Sequence, residues 1–284
     1  MKLILLNSAI VPTSLINEIE SNHLISEISR FSDNAVQLTM RDIPDAETRA
    51  HLRNHALMHQ TDLIFQKRDF KPENVKLLAM DMDSTLINIE CIDEIADAAG
   101  RKKEVSEITE AAMRGEIKDF SESLRRRVAL LAGVPETALH DVLQTRLKLN
   151  PGAKELIEGA KARGWHTLLV SGGFTFFTDH LAKQLGLSEA HANTLEVSGG
   201  LLTGKVIGNI VDGNAKASFV QARALQLGIA LNQAIVMGDG SNDLPMMEHA
   251  GLSIGYKAKP IVKEKADGSF DHVGLNALLA ICPN

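Results

Sequence analysis

Short apolar runs alternate with amphipathic stretches from Lys76 to the end of the chain, and this alternation predicts β-strands separated by α-helices. The runs LLAM, TLLV, AIVM and LSIGY are short enough to be buried strands. A helix is predicted over about 215–227, and the glycines of residues 193–208 predict a β-hairpin. We therefore expect an α/β fold with a mostly parallel sheet covered by helices on both faces.

The segment from about 90 to 149 interrupts this alternation, because it has helical spacing of apolar residues and no strand pattern. We expect it to be an inserted helical cap that lies over the sheet. After it, Asn150 and Pro151 predict the N-cap and first residue of the next helix, and Gly164 predicts its end.

Residues 1–72 differ from the rest and are predicted to form a small α+β module. Strand patterns over 2–7, 35–42 and 61–67 alternate with helix patterns over 13–30 and 46–58, which gives the order β-α-β-α-β. The polar stretch 67–76 contains Pro72 and marks a boundary, so the second domain is predicted to be 73–284.

Composition narrows the class of protein. The 284 residues carry a net charge of −6 and no long basic block, which argues against nucleic acid as the main partner. The two cysteines, Cys91 and Cys282, form no disulfide framework or metal motif, so a reducing compartment is expected. The N-terminal apolar run is too short for a signal peptide, and no stretch approaches the ~18 apolar residues of a membrane span. We expect a cytoplasmic protein with no membrane association.

Three of the predicted strands end in polar residues. Ligands bind at the carboxyl ends of strands in an open parallel sheet, so neighbouring strand ends would form one site. The residues concerned are Asp81 and Asp83, Ser171, Gly172 and Gly173, the run from Gly238 to Asp243 that contains Asp239 and Asn242, and Lys216 at the start of a helix.

The chemistry of this set points to phosphate and a hard cation. Clustered carboxylates repel one another unless a cation neutralises them, and oxygen ligands without histidine or cysteine favour Mg²⁺. Ser171, the backbone N–H groups of its glycines and Lys216 suit a phosphate. A carboxylate at the strand tip can act as nucleophile, and the acid two residues later can act as general acid and base.

Several of these residues also have purely structural interpretations. SGG alone is usually a turn, and Lys216 alone would be a solvated helix residue. Arg127 falls beside an apolar helical stripe, so it either pairs with Glu90 or binds a substrate carboxylate while Glu90 binds an ammonium. Met113 and Phe120 close this pocket or pack in the core. Acidic residues on the predicted surface of the first cap helix are expected to be solvated: Asp93, Glu94 and Asp97.

Together, DMDST, SGG, Lys216 and GDGSND resemble the four motifs of the haloacid-dehalogenase superfamily. The stretches DMDSTLINIECIDEIADAAG, ESLRRRVALL, VSGGFTFF and GDGSNDLPM are similar to its members that act on phosphoserine. The similarity runs from Lys76 to the C-terminus and does not include residues 1–72. It implies a Rossmann-like core with a helical cap.

The resemblance also implies a role for each matching residue. Asp81 would be the nucleophile and Asp83 the general acid and base. Asp81, the backbone carbonyl of Asp83, and Asp239 would bind Mg²⁺, with Asp243 supporting the metal from nearby. The residues that would bind substrate are Ser171, Gly172, Lys216 and Asn242 at the phosphate, and Glu90 and Arg127 at the amino acid.

The activity implied by the family is Mg²⁺-dependent hydrolysis of L-phosphoserine to L-serine and phosphate, the last step of serine biosynthesis. Phosphoryl transfer to another alcohol, such as homoserine, stays open because it shares the aspartyl-phosphate. Dehalogenation is disfavoured because it needs neither a metal nor Asp83. The order of elements in residues 1–72 is similar to that of ferredoxin-like and ACT-type modules, which bind amino acids or mediate dimers. By this analogy residues 1–72 would bind an amino acid or form a homodimer. The alternative is that they serve as a stabilising appendage.

Overall fold

One continuous β-sheet organises the chain in the computed structural model, which describes residues 1–22, 25–113, 117 and 119–282. The strands are β1 Lys2–Leu6, β2 Ile25–Ser32, β3 Ala35–Met40, β4 Asp62–Gln66, β5 Leu77–Met80, β6 His166–Phe174, β7 Glu189–Ser198, β8 Leu201–Ile207, β9 Ala234–Gly238, β10 Leu252–Tyr256 and β11 Gly268–Phe270. The helices are α1 Thr13–Asn22, α2 Ala46–Met58, α3 Cys91–Ala98, α4 Lys102–Met113, α5 Phe120–Ala129, α6 Thr137–Thr145, α7 Ala153–Ala162, α8 Thr175–Leu185, α9 Gly213–Gln226, α10 Leu244–Met247, α11 Pro260–Lys265 and α12 Leu278–Ile281.

The described strands follow the order β2-β3-β1-β4-β11-β10-β9-β5-β6-β7-β8. Strands β11, β10, β9, β5, β6 and β7 are parallel, which confirms the predicted α/β core. Strand β5 lies between β6 and β9, and its side chains alternate between two apolar clusters: Leu78 and Met80 enter one, and Leu77 and Ala79 the other. Both faces of the central strand are therefore buried, as its unbroken apolar sequence predicts.

Helices α3 to α6 occupy the segment predicted to be a helical cap. The β7–β8 hairpin, which the glycines predicted, contacts the cap as well as the sheet. The N–H of Leu202 in β8 donates to the carbonyl of Val134 at 2.8 Å, and the N–H of Gly133 donates back to Leu202 at 2.8 Å. The cap is thus joined to the core by this hairpin as well as by the chain at its two ends.

The predicted order of elements in residues 1–72 is wrong in one respect. The helix predicted over 13–30 ends at Asn22, and Ile25–Ser32 form β2, so the order is β-α-β-β-α-β. Strand β2 is an edge strand that is mostly exposed, and it pairs with β3 alone among the described strands. Because few of its side chains are buried, it lacks the alternation of apolar and polar residues that reveals a strand.

Strands β4-β1-β3-β2 form an antiparallel sheet in the order of ferredoxin-like modules. In β1, Leu3 and Leu5 enter an apolar cluster that also contains residues of α1 and α2, whereas Ile4 and Leu6 enter the main core cluster. Strand β4 pairs antiparallel with β11 through Ile64 and Gly268. The N-terminal strands therefore extend the central sheet, and β1 and β4 are buried on both faces.

The buried carboxylate of Asp62 strengthens this junction. It accepts hydrogen bonds from the backbone N–H groups of Asp271, His272 and Val273 at 3.0–3.3 Å. A charged group at a buried strand end is costly unless it is hydrogen-bonded. Asp62 thus connects the start of β4 to the loop after β11.

The predicted cap of α7 is also wrong. The helix begins at Ala153, and its N-cap is Gly152 at φ +77°, a left-handed conformation that glycine adopts without strain. Asn150 instead donates from Nδ2 to the carbonyls of Thr85 and Ile87 at 2.8 and 2.9 Å. Its side chain therefore fixes the loop that follows β5.

No helix in the described ranges combines the length and apolar character needed to cross a membrane. Cys91 and Cys282 are both buried free thiols.

Candidate active site

Three neighbouring strand ends bring the predicted site residues together. Asp81 follows β5, Ser171 lies in β6 and Asp239 follows β9, and β5 is hydrogen-bonded to both of the other strands. The N–H of Asp81 donates to the carbonyl of Met237 at 3.0 Å, so Asp81 extends the ladder with β9. The predicted convergence of these strand ends is present in the structure.

Lys216 occupies the centre of the group. Asp212 caps α9 by accepting from the N–H of Ala215 at 2.8 Å, and Lys216 follows in the first turn. Its fully buried Nζ donates to Asp81 Oδ1 at 2.6 Å and Asp243 Oδ1 at 2.7 Å. Burial alone would lower the pKa of Lys216, but Asp243 and Asp81 together outweigh it and raise the pKa. Lys216 is therefore a permanent cation.

Asp243 has both carboxylate oxygens engaged by the protein. Oδ1 accepts from Lys216, and Oδ2 accepts from the N–H groups of Asp239 and Gly240 at 3.0 Å each. A β-carbon at Gly238 would lie 2.4 Å from Asp243 Cγ, so only glycine permits this approach. Asp243 thus shapes the loop and holds Lys216, with little capacity left for other ligands.

Carboxylate oxygens of Asp81, Asp239 and Asp243 all lie within 4.8 Å of one another, and all three side chains are buried. Burial and the charge of Asp243 raise the pKa of Asp81, and the same two causes raise the pKa of Asp239 to about 7. A bound cation would relieve this repulsion, and a donor set made only of carboxylate oxygens fits Mg²⁺.

Asp83 lies two residues after Asp81, in the loop that contains Ser84 at φ +56°. Burial, with the nearby charge of Glu90, raises the pKa of Asp83 to about 8. Its Oδ1 is buried and has no hydrogen-bond partner among the described residues. Asp83 therefore holds a proton near neutral pH and has an oxygen free for a substrate.

The SGG segment lies within an irregular part of β6, not after the strand as predicted. The fully buried Ser171 Oγ accepts from the N–H of Gly173 at 2.8 Å. The carbonyl of Gly172 accepts from Asn193 Nδ2 at 2.8 Å. A β-carbon at Gly172 would lie 2.9 Å from Phe120 Cζ, so the first residue of cap helix α5 rests on this segment.

On the cap side, Glu90 accepts from Ser84 Oγ at 2.6 Å. Its side chain is open to solvent, but the protein around it limits hydration and raises its pKa. Glu90 also acts electrostatically on Asp83 and Asp239, which places it near both carboxylates.

Arg127 is half-buried on α5 and has no ion pair within 4.0 Å with Glu90. Its Nε is buried and has no hydrogen-bond partner in the described part of the chain. Burial lowers the pKa of Arg127, and the charges of Asp93 and then Glu90 oppose this effect. The geometry therefore lacks the direct Arg127–Glu90 pair and leaves guanidinium N–H groups available.

Sequence reasoning missed residues that support the site. Asp93 is half-buried, and its Oδ1 has no hydrogen-bond partner among the described residues, whereas it was expected to be solvated. Glu94 and Asp97 were also expected to be solvated, but they are half-buried and pair with Arg146. Asn193 is buried and also accepts from the N–H of Val211 at 2.8 Å. Strand β7 contains several other polar residues, so the local sequence does not distinguish Asn193.

Asn242 is half-buried in the loop before α10, and a β-carbon at Gly213 would lie 2.8 Å from its carbonyl oxygen. The start of α9 thus packs directly against this loop, which keeps Lys216 and Asn242 in the same region. The side chain of Met113 lies outside the described residues.

Comparisons with known proteins agree with this arrangement. The family model for haloacid dehalogenase-like hydrolases matches residues 78–248. A phosphoserine phosphatase from Polaromonas sp. is 56% identical over 217 residues, which are 75% of this chain and 92% of that protein.

Two solved structures extend the comparison. A HAD family hydrolase from Salmonella enterica serovar Typhi is 31% identical, with a TM-score of 0.87 and coverage of 100% of this chain and 98% of its own. A substrate-bound phosphoserine phosphatase is 41% identical, with a TM-score of 0.69 and coverage of 74% of this chain and 99% of its own. The first alignment includes the N-terminal strands and helices, so the arrangement of the whole chain has a solved counterpart.

Proposed function

The chain belongs to the haloacid dehalogenase-like hydrolases, and on this premise we propose that it hydrolyses L-phosphoserine to L-serine and phosphate through a phosphorylated Asp81. Its relatives named phosphoserine phosphatases support the substrate. A role in the last step of serine biosynthesis and a cytoplasmic location belong to the same proposal.

The position of Asp81 is the observation that carries it. Asp81 stands at the tip of the central strand, with one oxygen held by the buried Lys216 and with Asp83 two residues away. Lys216 fixes the orientation of the carboxylate, which leaves the second oxygen to attack phosphorus.

The residues present fit a magnesium ion. Asp81, Asp239 and the backbone carbonyl of Asp83 would hold it, with Asp243 behind them. When bound, Mg²⁺ supplies positive charge that offsets the clustered carboxylates and polarises the phosphoryl oxygens.

Asp81 and Asp83 divide the chemistry between them. Asp81 attacks phosphorus while the protonated Asp83 donates its proton to the serine oxygen, so the ester P–O bond breaks and an aspartyl-phosphate forms. Asp83 then removes a proton from water, which attacks phosphorus, releases phosphate and restores Asp81. The pKa of about 8 for Asp83 suits a group that must be an acid first and a base second.

The remaining residues orient the substrate. The Ser171 hydroxyl, the backbone of Gly172 and the Lys216 ammonium receive the phosphoryl oxygens. Asn242 lies close to the substrate. Arg127 binds the α-carboxylate through its free N–H groups, and Glu90 binds the α-ammonium. Closure of the cap over this site excludes water that would compete with transfer.

A substrate panel tests the activity. Phosphate release should be fastest with L-phosphoserine, slower with phosphothreonine, a sugar phosphate and p-nitrophenyl phosphate, and should disappear in chelator and return with Mg²⁺. Full activity after dialysis into excess chelator would overturn the metal assignment. An acceptor alcohol that lowers phosphate release while its own phosphate ester appears would identify phosphoryl transfer instead.

Two substitutions test the division of roles. Asp81→Asn should abolish the acid-stable phosphorylated enzyme, whereas Asp83→Asn should slow turnover by ~10²–10⁴-fold. A phosphorylated Asp81→Asn enzyme would show that another carboxylate is the nucleophile.

A further inference from the structure

Two histidines and one glutamate meet between the helices of the N-terminal module, away from the strand ends that form the active site. His55 lies in the last turn of α2, His59 is the C-cap residue of that helix, and Glu18 lies on α1. Glu18 Oε2 is 3.0 Å from His55 Nε2 and 3.5 Å from His59 Nε2. One carboxylate oxygen therefore faces two imidazole nitrogens at once.

These separations match those required by a tetrahedral ion. Metal bonds of ~2.0–2.1 Å at tetrahedral angles place neighbouring ligand atoms ~3.4 Å apart, and Zn²⁺ prefers this geometry with nitrogen and carboxylate ligands. One ligand atom from each of the three side chains lies within 4.8 Å of the other two. Only small rotations of the side chains would complete the set.

The surroundings also suit a bound ion. The side chains of His55 and His59 are 22% and 27% exposed, so the protein restricts their rotation, while Glu18 is 44% exposed. Water can therefore reach a fourth coordination position. The histidines are four residues apart, at the last turn and the C-cap of α2, and both rings face Glu18.

We propose that Glu18, His55 and His59 form a binding site for Zn²⁺ that bridges α1 and α2 of the N-terminal module. The site differs in chemistry from the Asp81, Asp239 and Asp243 cluster, which offers only oxygen and suits Mg²⁺. Two imidazole nitrogens select a borderline-soft ion such as Zn²⁺ over Mg²⁺. The bound ion would fix α1 against α2.

The full chain is titrated with Zn²⁺ by calorimetry at about pH 7.5, where imidazole is mostly neutral. Cobalt(II) is the second probe, because a four-coordinate site with nitrogen ligands absorbs visible light far more strongly than a six-coordinate oxygen site. The variants are His55→Ala, His59→Ala and Glu18→Gln. His51→Ala is the matched control, because His51 is exposed one turn before His55 with its ring centroid 5.4 Å away.

The expected result is one Zn²⁺ site in the wild type and in His51→Ala, each with the strong cobalt(II) spectrum. Loss of either ligand histidine should weaken this site at least ~10–100-fold, since even residues behind a ligand contribute that much. The cobalt(II) spectrum separates this site from any ion held by the active-site carboxylates, and circular dichroism checks that each variant is folded. Equal binding by the wild type and the His55→Ala/His59→Ala double variant, or no binding by the wild type, would overturn the site and leave Glu18 as a hydrogen-bonding partner of the two rings.

Discussion

Asp81, Asp239 and Asp243 are buried together, and the ammonium group of Lys216 donates to Asp81 and Asp243. Burial is the main cause of the raised pKa values of Asp81 and Asp239, and repulsion from the charge of Asp243 adds to it. Without a cation, the buried carboxylates therefore lower the stability of the folded protein. Binding of a cation stabilises the site.

The pH dependence of stability should reveal this cost. Asp239 titrates at about 7 in the folded protein against 3.8 when exposed. A raised folded pKa means that the folded state holds the proton more tightly, so the metal-free wild type loses stability as pH rises from ~4 to ~7. Asp239→Asn lacks this titrating group. The unfolding free energy of the variant should therefore exceed that of the metal-free wild type by an amount that grows across this pH window to at most ~4 kcal/mol. Urea unfolding in chelator at several pH values measures it; Mg²⁺ should reduce the difference, and parallel pH curves would contradict the expectation.

Replacement of Arg127 should lower the activity with one substrate and leave the activity with another almost unchanged. Its buried Nε lacks a partner among the described residues, so Arg127→Ala removes a group that a substrate carboxylate would use. A charge-assisted hydrogen bond of ~1.5–3 kcal/mol predicts a roughly 10–150-fold loss in kcat/KM for L-phosphoserine. p-Nitrophenyl phosphate has no carboxylate and should be little affected.

Arg125→Ala provides the matched control, because Arg125 is exposed on the same helix. Equal losses with both substrates would make Arg127 a structural residue.

Asp81, Ser171 and Asp239 could be predicted because each follows a distinct apolar run, and sheet geometry then brings them together. The role of Asp93 could not be predicted. It lies in the first turn of α3, where an acidic residue commonly stabilises the helix N-terminus without any further role. Whether such an acid faces water or Arg127 depends on how the cap helices pack, and that packing is not contained in local sequence. The same holds for Asn193, whose two partners are Gly172 and Val211.

At the scale of elements, the central parallel strands were predicted, whereas the short parallel strand β11 and the exposed edge strand β2 were not. Strands β5 and β9 are buried on both faces, so their sequences are apolar without interruption. Strand β2 has isoleucines three residues apart, at Ile25 and Ile28, which is also a helical spacing. Its conformation is set by pairing with β3, a contact that periodicity cannot show.

Asn150 joins two elements, and its removal should loosen the loop after β5. Asn150→Ala removes two buried hydrogen bonds to Thr85 and Ile87, and leaving their carbonyls unpaired should cost ~1–3 kcal/mol of unfolding free energy. Because the loop carries Asp83, kcat should fall as well. Urea unfolding and steady-state kinetics measure the two effects.

Asn88→Ala is the control, since exposed Asn88 accepts from the N–H of Lys148 in the same junction. If both variants lost equal stability, burial of the Asn150 contacts would not be the cause.

At the scale of the molecule, the N-terminal module shares its sheet and its apolar core with the rest of the chain. Main-core side chains contributed by the module include Ile4, Leu6, Ala35 and Ile64. The boundary predicted at Pro72 is a boundary in the order of elements, but the sheet continues across it through β4 and β11. Its roles in amino-acid binding or dimer formation stay predictions.

A chain that starts near Lys71 should keep every proposed catalytic residue but lose stability. Exposure of the surface that the module covers should lower the unfolding free energy by roughly 3 kcal/mol or more, because each buried aliphatic side chain contributes ~1.5–3 kcal/mol. Thermal unfolding, light scattering and phosphate release measure stability, oligomeric state and activity.

Asp62→Ala in the full chain should reproduce part of the loss, ~1–3 kcal/mol, by leaving three N–H groups without their acceptor. A folded truncation with full stability would show that the junction is weak. A stable but inactive truncation with unchanged oligomeric state would place residues 1–72 in the site.

The Asp62 junction also sets an order of events during synthesis. Asp62 leaves the ribosome 209 residues before Asp271, the first of its partners. At ~5–20 residues per second, the nascent module waits roughly 10–40 s for that partner. During this interval the sides of β1 and β4 that carry Ile4, Leu6 and Ile64 lack much of their final cover. The nascent chain is therefore most prone to aggregation, and most dependent on chaperones, before β11 emerges from the ribosome. Its first strands are synthesised much earlier than β11.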